Sequence, residues 1–172
     1  PDRTKLLNKQ FELLAKKELS SLTMAMLSLA AGNMSKTGTQ QKYIRNVMRE
    51  VNYTDDDKAF WQSNIKRYDW QNDNIITTAM VLKALLAEPL SRKENRDIIE
   101  KSVNWLLGVK RGNSFGNTLQ SAYIIYSLTD YLGAYNELKP DYSIKIFVNG
   151  KEAAQKQVTI SDIFNKEDKF YI

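Results

Sequence analysis

The residues best suited to chemistry are acidic side chains in the middle of a chain that has no histidine and no cysteine. Without histidine, Ser-His-Asp and Cys-His arrangements are excluded, together with the commonest general base. Without cysteine, disulfides, thiolate chemistry and the usual zinc sites are excluded. Any catalysis would therefore have to rest on Asp, Glu, Lys or Tyr.

Three consecutive aspartates form the first candidate site, since clustered carboxylates can hold a cation. They are Asp55, Asp56 and Asp57. A calcium loop requires acidic residues at alternating positions and a glycine, and neither is found here. The acidic motifs of terpene cyclases, Asp-x-Asp-Asp and Asp-Asp-x-x-Asp, are not matched either. We therefore predict a solvated loop that caps a helix.

A second pair of carboxylates, Asp69 and Asp73, flanks Trp70 and resembles the acid and base of a toroidal glycosidase. A spacing of four residues brings two side chains together only on a helix. The local sequence is instead typical of a loop that precedes a helix. We therefore predict that Asp73, or Asn74 beside it, caps the next helix.

Aromatic side chains form two further groups. The first could line a sugar or isoprenoid pocket, although such residues more often pack where helical hairpins end. The second recurs at helical spacing, which favours an interface or core face over catalysis. The first group is Trp61, Tyr68, Trp70, Trp105 and Phe115, and the second is Tyr123, Tyr126, Tyr131 and Tyr135.

Composition indicates a globular, helix-rich chain of 172 residues, of which 42% are hydrophobic and only seven are glycine. The net charge of +5 is typical of a solvated surface rather than a nucleic-acid footprint. No run approaches the ~20 apolar residues of a membrane span, and no signal peptide is recognised. Because the chain opens at Pro1 without an initiator methionine, we expect a segment of a longer protein.

Hydrophobic periodicity predicts about six helices that are alternately amphipathic and apolar on all sides. The simplest architecture with that alternation has a buried inner layer and a half-exposed outer layer. An α/α-toroid or an α-solenoid satisfies it, so the predicted fold is mainly α. Gly32 is expected to end the first apolar helix, and Pro89 is expected to end the second. Residues 59–62 are expected to form a short extended segment. The amphipathic segments are 4–16, 38–51 and 94–107, and the apolar ones are 20–31, 74–87 and 117–133.

A β-rich tail follows the helices. Alternation from Tyr142 to Val148 predicts a strand, and Asn149-Gly150 predicts a tight hairpin turn. A second strand is predicted at 155–160 and a third at 169–172. Because so few strands do not make a stable sandwich, they either pack on the helices or begin a further domain. The predicted domains are therefore 1–140, which is helical, and 141–172, which is β-rich.

Taken together, these segments resemble the thioester-containing domain of the alpha-2-macroglobulin family. Residues 74–85, NIITTAMVLKAL, resemble one of its inner helices, and Trp105-Leu106 with 115–122, FGNTLQSA, resemble a later segment. The β tail lies where that family returns from a helical toroid to a β domain. The chain departs from the family in lacking the Cys-Gly-Glu-Gln thioester and the reactive histidine. Asn74, Ile76 and Gln120 also replace acidic residues of the family pattern.

The resemblance implies a non-catalytic structural segment of a bacterial alpha-2-macroglobulin-like endopeptidase inhibitor that traps proteases. Residues 1–140 would be part of its toroid, and 141–172 would begin a macroglobulin- or CUB-like domain. Implied partners are other domains of the parent chain and, through the parent, target proteases. Neither nucleic acid nor membrane contact is implied for this segment. The implied location is the periplasm or the cell surface, with a lipoprotein anchor as one option.

No catalytic, cofactor-binding or metal-binding residue is predicted, and the chain is not expected to be an enzyme. Two alternatives stay open. One is an α/α-toroid enzyme that acts on polysaccharide or isoprenoid, and two facing carboxylates in a deep cavity would favour it. The other is a helical-repeat interaction module, which an open superhelix would favour.

Overall fold

The computed structural model describes residues 3–14, 18–63, 73–110, 115–136 and 141–162. The chain divides into two compact units, Pro1–Tyr131 and Leu132–Ile172. The described part contains seven α-helices and four short strands, so the prediction of a mainly helical chain with a short β tail is confirmed. Within these ranges, no helix combines the length and the apolar character needed to cross a membrane.

The two units divide the helices and strands of the chain between them. Helix α7 begins in the first unit and its last residues belong to the second. The first unit contains α1 (Arg3–Leu14), α2 (Ser21–Asn33), α3 (Thr37–Met48), β1 (Val51–Tyr53), β2 (Ala59–Trp61), α4 (Asn74–Ala87), α5 (Pro89–Glu94), α6 (Arg96–Gly108) and the start of α7 (Thr118–Ala134). The second unit contains β3 (Tyr142–Val148), β4 (Lys151–Val158) and a 3₁₀ turn (Ile160–Asp162).

Helix α4 lies at the centre of the first unit. Nine of its 14 residues are buried, and Leu82 and Leu85 are completely inaccessible to solvent. Helices α2, α5 and α6 and strand β2 pack against it. The predicted bounds of this helix, 74–87, and its predicted burial are both confirmed.

Helices α2 and α7 are less buried than predicted. On α2, the side chain of Met26 is 43% exposed. On α7, Ile124 and Ser127 are buried, whereas Ile125 is 54% and Tyr126 is 65% exposed. The prediction that both helices are buried on all sides is therefore wrong for the described structure. Apolar composition leads to burial only where a neighbouring element covers that side of the helix.

Two predicted helix ends are also wrong. Helix α2 continues through Gly32 and is followed by Ser35 in the left-handed conformation, at φ 56°. The N–H of Lys36 then donates to the carbonyl oxygen of Ala31 at 2.9 Å, which closes the end of the helix. Helix α3 ends at Met48, and Val51 belongs to strand β1 rather than to the predicted helix. An apolar residue just after a helix fits both a longer helix and a new strand. Hydrophobic periodicity alone therefore does not distinguish these two structures.

Proline-89 begins a helix as well as ending one. It is the first residue of the short helix α5, where the missing N–H costs no helical hydrogen bond. The carboxylate of Glu88 caps this helix by accepting from the N–H of Ser91. The sequence analysis predicts only that Pro89 ends α4, and it does not predict the short helix α5.

A small β-hairpin connects α3 to α4. Strands β1 and β2 are antiparallel, and Val51 pairs with Trp61. The Trp61 side chain is completely buried, and its indole N–H donates to the carbonyl oxygen of Val47 at 2.8 Å. Its backbone N–H donates to Oγ1 of Thr78 on α4 at 3.0 Å. The extended segment predicted at 59–62 is thus confirmed and forms part of the core.

The second unit is built on an antiparallel hairpin in which Tyr142 pairs with Val158. Asn149 and Gly150 form the turn, both at positive φ, as the sequence predicts. The register of the hairpin shifts between Ile146 and Phe147, where Ala153 of β4 has no partner on β3. Strand β4 begins at Lys151, earlier than the predicted 155, because its polar residues gave no apolar alternation to detect. The predicted third strand, 169–172, lies outside the described residues.

Candidate functional site

A cleft of about 960 Å³ in the first unit brings together several residues that the sequence singled out. It lies between the start of α4, the end of α6 and the segment that precedes α7. Its described lining includes Asp73, Trp105, Phe115 and Gln120. This cleft is therefore the candidate functional site of the first unit.

Asp73 uses both carboxylate oxygens to hold protein structure. Its Oδ1 accepts from the N–H groups of Ile75, at 2.7 Å, and Ile76, at 3.4 Å, so it caps α4 as predicted. Its Oδ2 accepts from the side-chain amide of Gln120. Asp69, the other carboxylate considered beside Trp70, lies outside the described residues.

Gln120 fixes the start of α7 on the opposite side of the cleft. Its Oε1 accepts from the N–H of Asn117, and Oδ1 of Asn117 accepts from the N–H of Gln120, both at 2.9 Å. This reciprocal pair is a capping box. Gly116 stands just before it at φ 98°, where a Cβ atom would collide with the Gln120 amide. Gln120 therefore couples the start of α7 to the cap of α4.

Two of the candidate aromatic residues reach the cleft. The Trp105 ring stacks on Phe60 of β2, with ring centres 5.2 Å apart and planes inclined by 10°. The Phe115 ring has the ammonium of Lys110 6.0 Å from its centre. One face of Trp105 is therefore taken by Phe60, and the stack joins α6 to the hairpin.

The remaining aromatic candidates occupy other places. Trp61 is completely buried in the core and does not border the cleft. Tyr68 and Trp70 lie outside the described residues. In the tyrosine series, Tyr123, Tyr131 and Tyr135 are partly buried and Tyr126 is exposed.

The three consecutive aspartates lie in the turn of the β1–β2 hairpin. The prediction that they cap a helix is wrong, because strands flank them on both sides, whereas their predicted exposure is confirmed. Asp56 binds Lys58 at 2.6 Å and accepts from the Thr54 hydroxyl at 2.6 Å. The hydrogen bond from Lys58 is the larger cause, followed by that from Thr54, and together they hold the pKa of Asp56 below its ordinary value.

Lys101 anchors this turn to α6. Its ammonium lies 2.9 Å from a carboxylate oxygen of Asp57 and 3.0 Å from one of Asp97. The hydrogen bond to Asp57, followed by that to Asp97, raises the pKa of Lys101. The ammonium also lies 5.7 Å from the centre of the Tyr53 ring. Asp56 and Asp57 are thus bound by lysines, which would compete with any cation for these carboxylates.

The sequence reading missed one buried carboxylate. Glu88 is only 4% exposed, and besides capping α5 it accepts from the side-chain amide of Gln41 at 3.4 Å. The sequence does contain a signal for this role, because an acidic residue directly before a proline, as Glu88 is before Pro89, is typical of a helix start.

Carboxylates are sparse in the described lining of the cleft and form no metal-binding group elsewhere in the described residues. The Asp and Glu residues of the described chain contain no group of three placed to hold a metal. Among the described residues that line the cleft, Asp73 is the one carboxylate. No model of a known protein family matches the chain, and no curated protein sequence matches it. The arrangement around the cleft therefore has to be interpreted from its own contacts.

Proposed function

We propose that this chain is a non-catalytic structural segment of a bacterial alpha-2-macroglobulin-like protein that traps proteases. In this proposal, α2, α4 and α7 belong to the inner layer of an α/α-toroid, and α3 and α6 belong to its outer layer. The β3–β4 hairpin begins the following β domain. The parent protein would act in the periplasm or at the cell surface. The observation that carries the proposal is the unequal burial of the three inner helices.

Helix α4 is the most buried of the three inner helices, with nine of its 14 residues buried, whereas the helices assigned to its two sides each have an exposed apolar flank. On α2 the exposed flank carries Met26, and on α7 it carries Ile125 and Tyr126. In a layered helical array, an interior repeat is covered by neighbours on both sides, and a repeat at the end of a segment is covered on one. The burial of these helices is therefore what a segment of a longer array would have.

The exposed flank of α7 supports this interpretation further. Leu119, Ala122, Tyr126 and Thr129 follow one another at three- and four-residue steps, and none of them is charged. The nearby carboxylate of Asp130 is directed to Lys83 of α4, with which it forms an ion pair. A helix face that stays in contact with water normally carries charged residues, so this face fits contact with another helix.

The helices assigned to the outer layer differ in the expected way. Helices α3 and α6 each bury one stripe of four residues, and their other residues are partly buried or exposed. The exposed side of α6 carries two ion pairs at i, i+4 spacing, Arg96–Glu100 and Asp97–Lys101. Such paired charges stabilise a helix whose outer face remains in water.

The alternative of a toroid enzyme has no described feature in its favour. It requires two facing carboxylates, and the described lining of the cleft supplies Asp73, which already caps α4 and accepts from Gln120. The aromatic ring best placed to stack on a sugar, Trp105, is stacked on Phe60. The interactions around the cleft thus join α7 to α4 and α6 to the β1–β2 hairpin.

The proposal is tested by introducing a charge on the exposed flank of α7. In the isolated chain, Ile125→Asp is expected to change the free energy of unfolding by about 0.5 kcal/mol or less, because the residue already faces water. In the parent protein the same change should cost roughly 2 kcal/mol or more, because the charge would be buried between helices. Thermal and urea unfolding of both proteins measure the difference.

Leu107→Asp is the matched control, since Leu107 is 48% exposed on α6 in the proposed outer layer. It should be tolerated in both proteins. Equal tolerance of the two substitutions by the parent would contradict the proposal. So would turnover of a glycoside or a prenyl diphosphate by the purified chain. The coding sequence upstream of Pro1 should be read for Cys-Gly-Glu-Gln and for a lipoprotein signal.

A further inference from the structure

The outward face of α3, together with the residue that follows the helix, carries three cations in a line, which we call the basic stripe. Lys42, Arg45 and Arg49 recur at i, i+3 and i+7, and all three are exposed. None of them forms an ion pair with another described residue. The stripe lies opposite the buried side of the helix, which consists of Gln40, Tyr43, Ile44 and Val47.

The basic stripe differs from the exposed face of α6, where opposite charges alternate. Like charges four residues apart, as Arg45 and Arg49 are, destabilise a helix, and opposite charges at that spacing stabilise it. Helix α3 has no acidic residue of its own to compensate the stripe, so a carboxylate bound to the stripe would stabilise the helix. The compensating pairs on α6 are Arg96–Glu100, at 2.7 Å, and Asp97–Lys101, at 3.0 Å.

The helix dipole explains only part of the stripe. Cations near the C-terminal end of a helix are favourable, and this applies to Arg45 and Arg49. Lys42 stands in the middle of α3, beyond the reach of that effect. A line of three cations thus exceeds what the helix itself would favour.

Two shallow grooves border the basic stripe. One, of about 290 Å³, has Lys42 and Arg49 on its edge and Leu19 in its lining. The other, of about 320 Å³, has Arg45 and Arg49 on its edge and Leu90 in its lining. Each groove therefore offers apolar contact beside a cation. This combination suits a chain that carries both carboxylates and apolar side chains.

We propose that the basic stripe binds an acidic segment of another protein that presents two or three carboxylates in a row. Lys42 and Arg49 are separated by about 10 Å along the helix axis, at 1.5 Å per residue. Carboxylates at i, i+3 or i+4 and i+7 of a partner helix have the same span. The guanidinium groups of Arg45 and Arg49 can each bind a carboxylate through two parallel hydrogen bonds.

An acidic protein segment fits the surface better than other polyanions do. The carboxylates of Glu18 and Glu50 border one groove, and those of Glu88 and Glu94 border the other. They confine the positive charge to a single narrow line, whereas nucleic-acid sites extend over many phosphates. Anionic membranes are typically bound by clusters of four to eight basic residues, which is more than the stripe contains. The inference does not depend on the function proposed above.

The test uses the full chain and a fluorescent peptide of about 12 residues, long enough to cover the stripe as a helix. The peptide carries three glutamates at i, i+3 and i+7 with leucines beside them, and a second peptide has glutamine in their place. We expect the glutamate peptide to bind and its affinity to fall as salt is added. Arg45→Glu with Arg49→Glu should weaken binding about tenfold or more, and Arg45→Gln with Arg49→Gln should weaken it less.

Lys9→Glu with Lys110→Glu is the matched control, since it changes the net charge equally at exposed positions of the same unit that line neither groove. It should alter the affinity less than about twofold. Circular dichroism establishes that each variant is folded. Equal affinity for the two peptides, an equal loss in the control, or tighter binding of single-stranded DNA or phosphatidylserine vesicles would overturn the proposal.

Discussion

The indole N–H of Trp61 donates a hydrogen bond to the carbonyl oxygen of Val47 at 2.8 Å, at the end of α3. The backbone N–H of Trp61 donates to the hydroxyl of Thr78 on α4 at 3.0 Å. One residue of a three-residue strand thus joins two helices through two hydrogen bonds, inside a core from which solvent is excluded.

Replacing Trp61 by phenylalanine should therefore destabilise the first unit. The change removes the indole donor and leaves a void beside α3, which together should cost roughly 2–4 kcal/mol. Trp105→Phe is the control, because Trp105 is only partly buried and its stacking on Phe60 can be kept by another aromatic ring. Urea unfolding measures both, and an equal loss would contradict the role given to Trp61.

The cap of α4 gives a second prediction. Asp73→Ala removes the acceptor for the N–H groups of Ile75 and Ile76 and should cost about 1–2 kcal/mol in the free energy of unfolding. Asp73→Asn should cost less, because the amide oxygen can still accept. If the alanine and asparagine variants unfold at the same urea concentration, Asp73 does not act as a cap.

The bond between Gln120 and Asp73 gives a third prediction. Because the two side chains form a hydrogen bond, Asp73→Ala and Gln120→Ala should not be additive, with a coupling free energy of about 0.5 kcal/mol or more. A double-mutant cycle by urea unfolding measures it. Additive losses would indicate that α7 is attached to α4 by other contacts.

Replacing two glycines by alanine is expected to change stability in opposite directions, because one glycine has a positive φ and the other lies in a helix. Gly116→Ala should cost more than about 1 kcal/mol, because its φ of 98° is unfavourable for alanine and its Cβ would collide with Gln120. Gly38→Ala should instead raise stability by about 0.5–1 kcal/mol, because Gly38 lies in α3 with open space around it. Thermal unfolding compares the two, and a gain at Gly116 would be inconsistent with the structure.

The depressed pKa of Asp56 gives a pH-dependent prediction. A carboxyl group whose pKa is lower in the folded state contributes stability above its ordinary value, 3.8, and loses it as the pH falls through the folded-state value. The melting temperature of the wild type should therefore exceed that of Asp56→Asn at pH 7, and the two should converge in strong acid. Asp55→Asn is the control, since Asp55 has no side-chain partner among the described residues.

Sequence reasoning worked where one local rule decided the structure. Asp73 before an apolar run identified the start of α4, and Asn149-Gly150 identified the turn of the second hairpin. Prediction from the sequence failed where the same residue was compatible with two different local structures. Val51 continues the apolar stripe of α3 and also begins a strand, and Pro89 both ends α4 and begins α5.

The candidate site was predicted only in part, because its interactions join residues that are distant in the sequence. Gln120 lies 47 positions from Asp73, and no local pattern indicates that their side chains meet. The burial of α7 was overestimated for a related reason. Ile124 and Ile125 are equally apolar, yet only Ile124 faces other elements of the chain. Hydrophobicity reports which residues can be buried, and the neighbours decide which ones are.

The position of Trp61 also has a consequence for the order of events during folding. It lies 14 positions after Val47 and 17 before Thr78, so its two hydrogen bonds close two successive loops of moderate length. Isolated helices form within about 1 μs, whereas closing loops between them costs chain entropy that later contacts must recover. We therefore expect α3 and α4 to acquire helical structure early but to dock only after the intervening hairpin has formed. The slow step would then belong to six strand residues rather than to any helix.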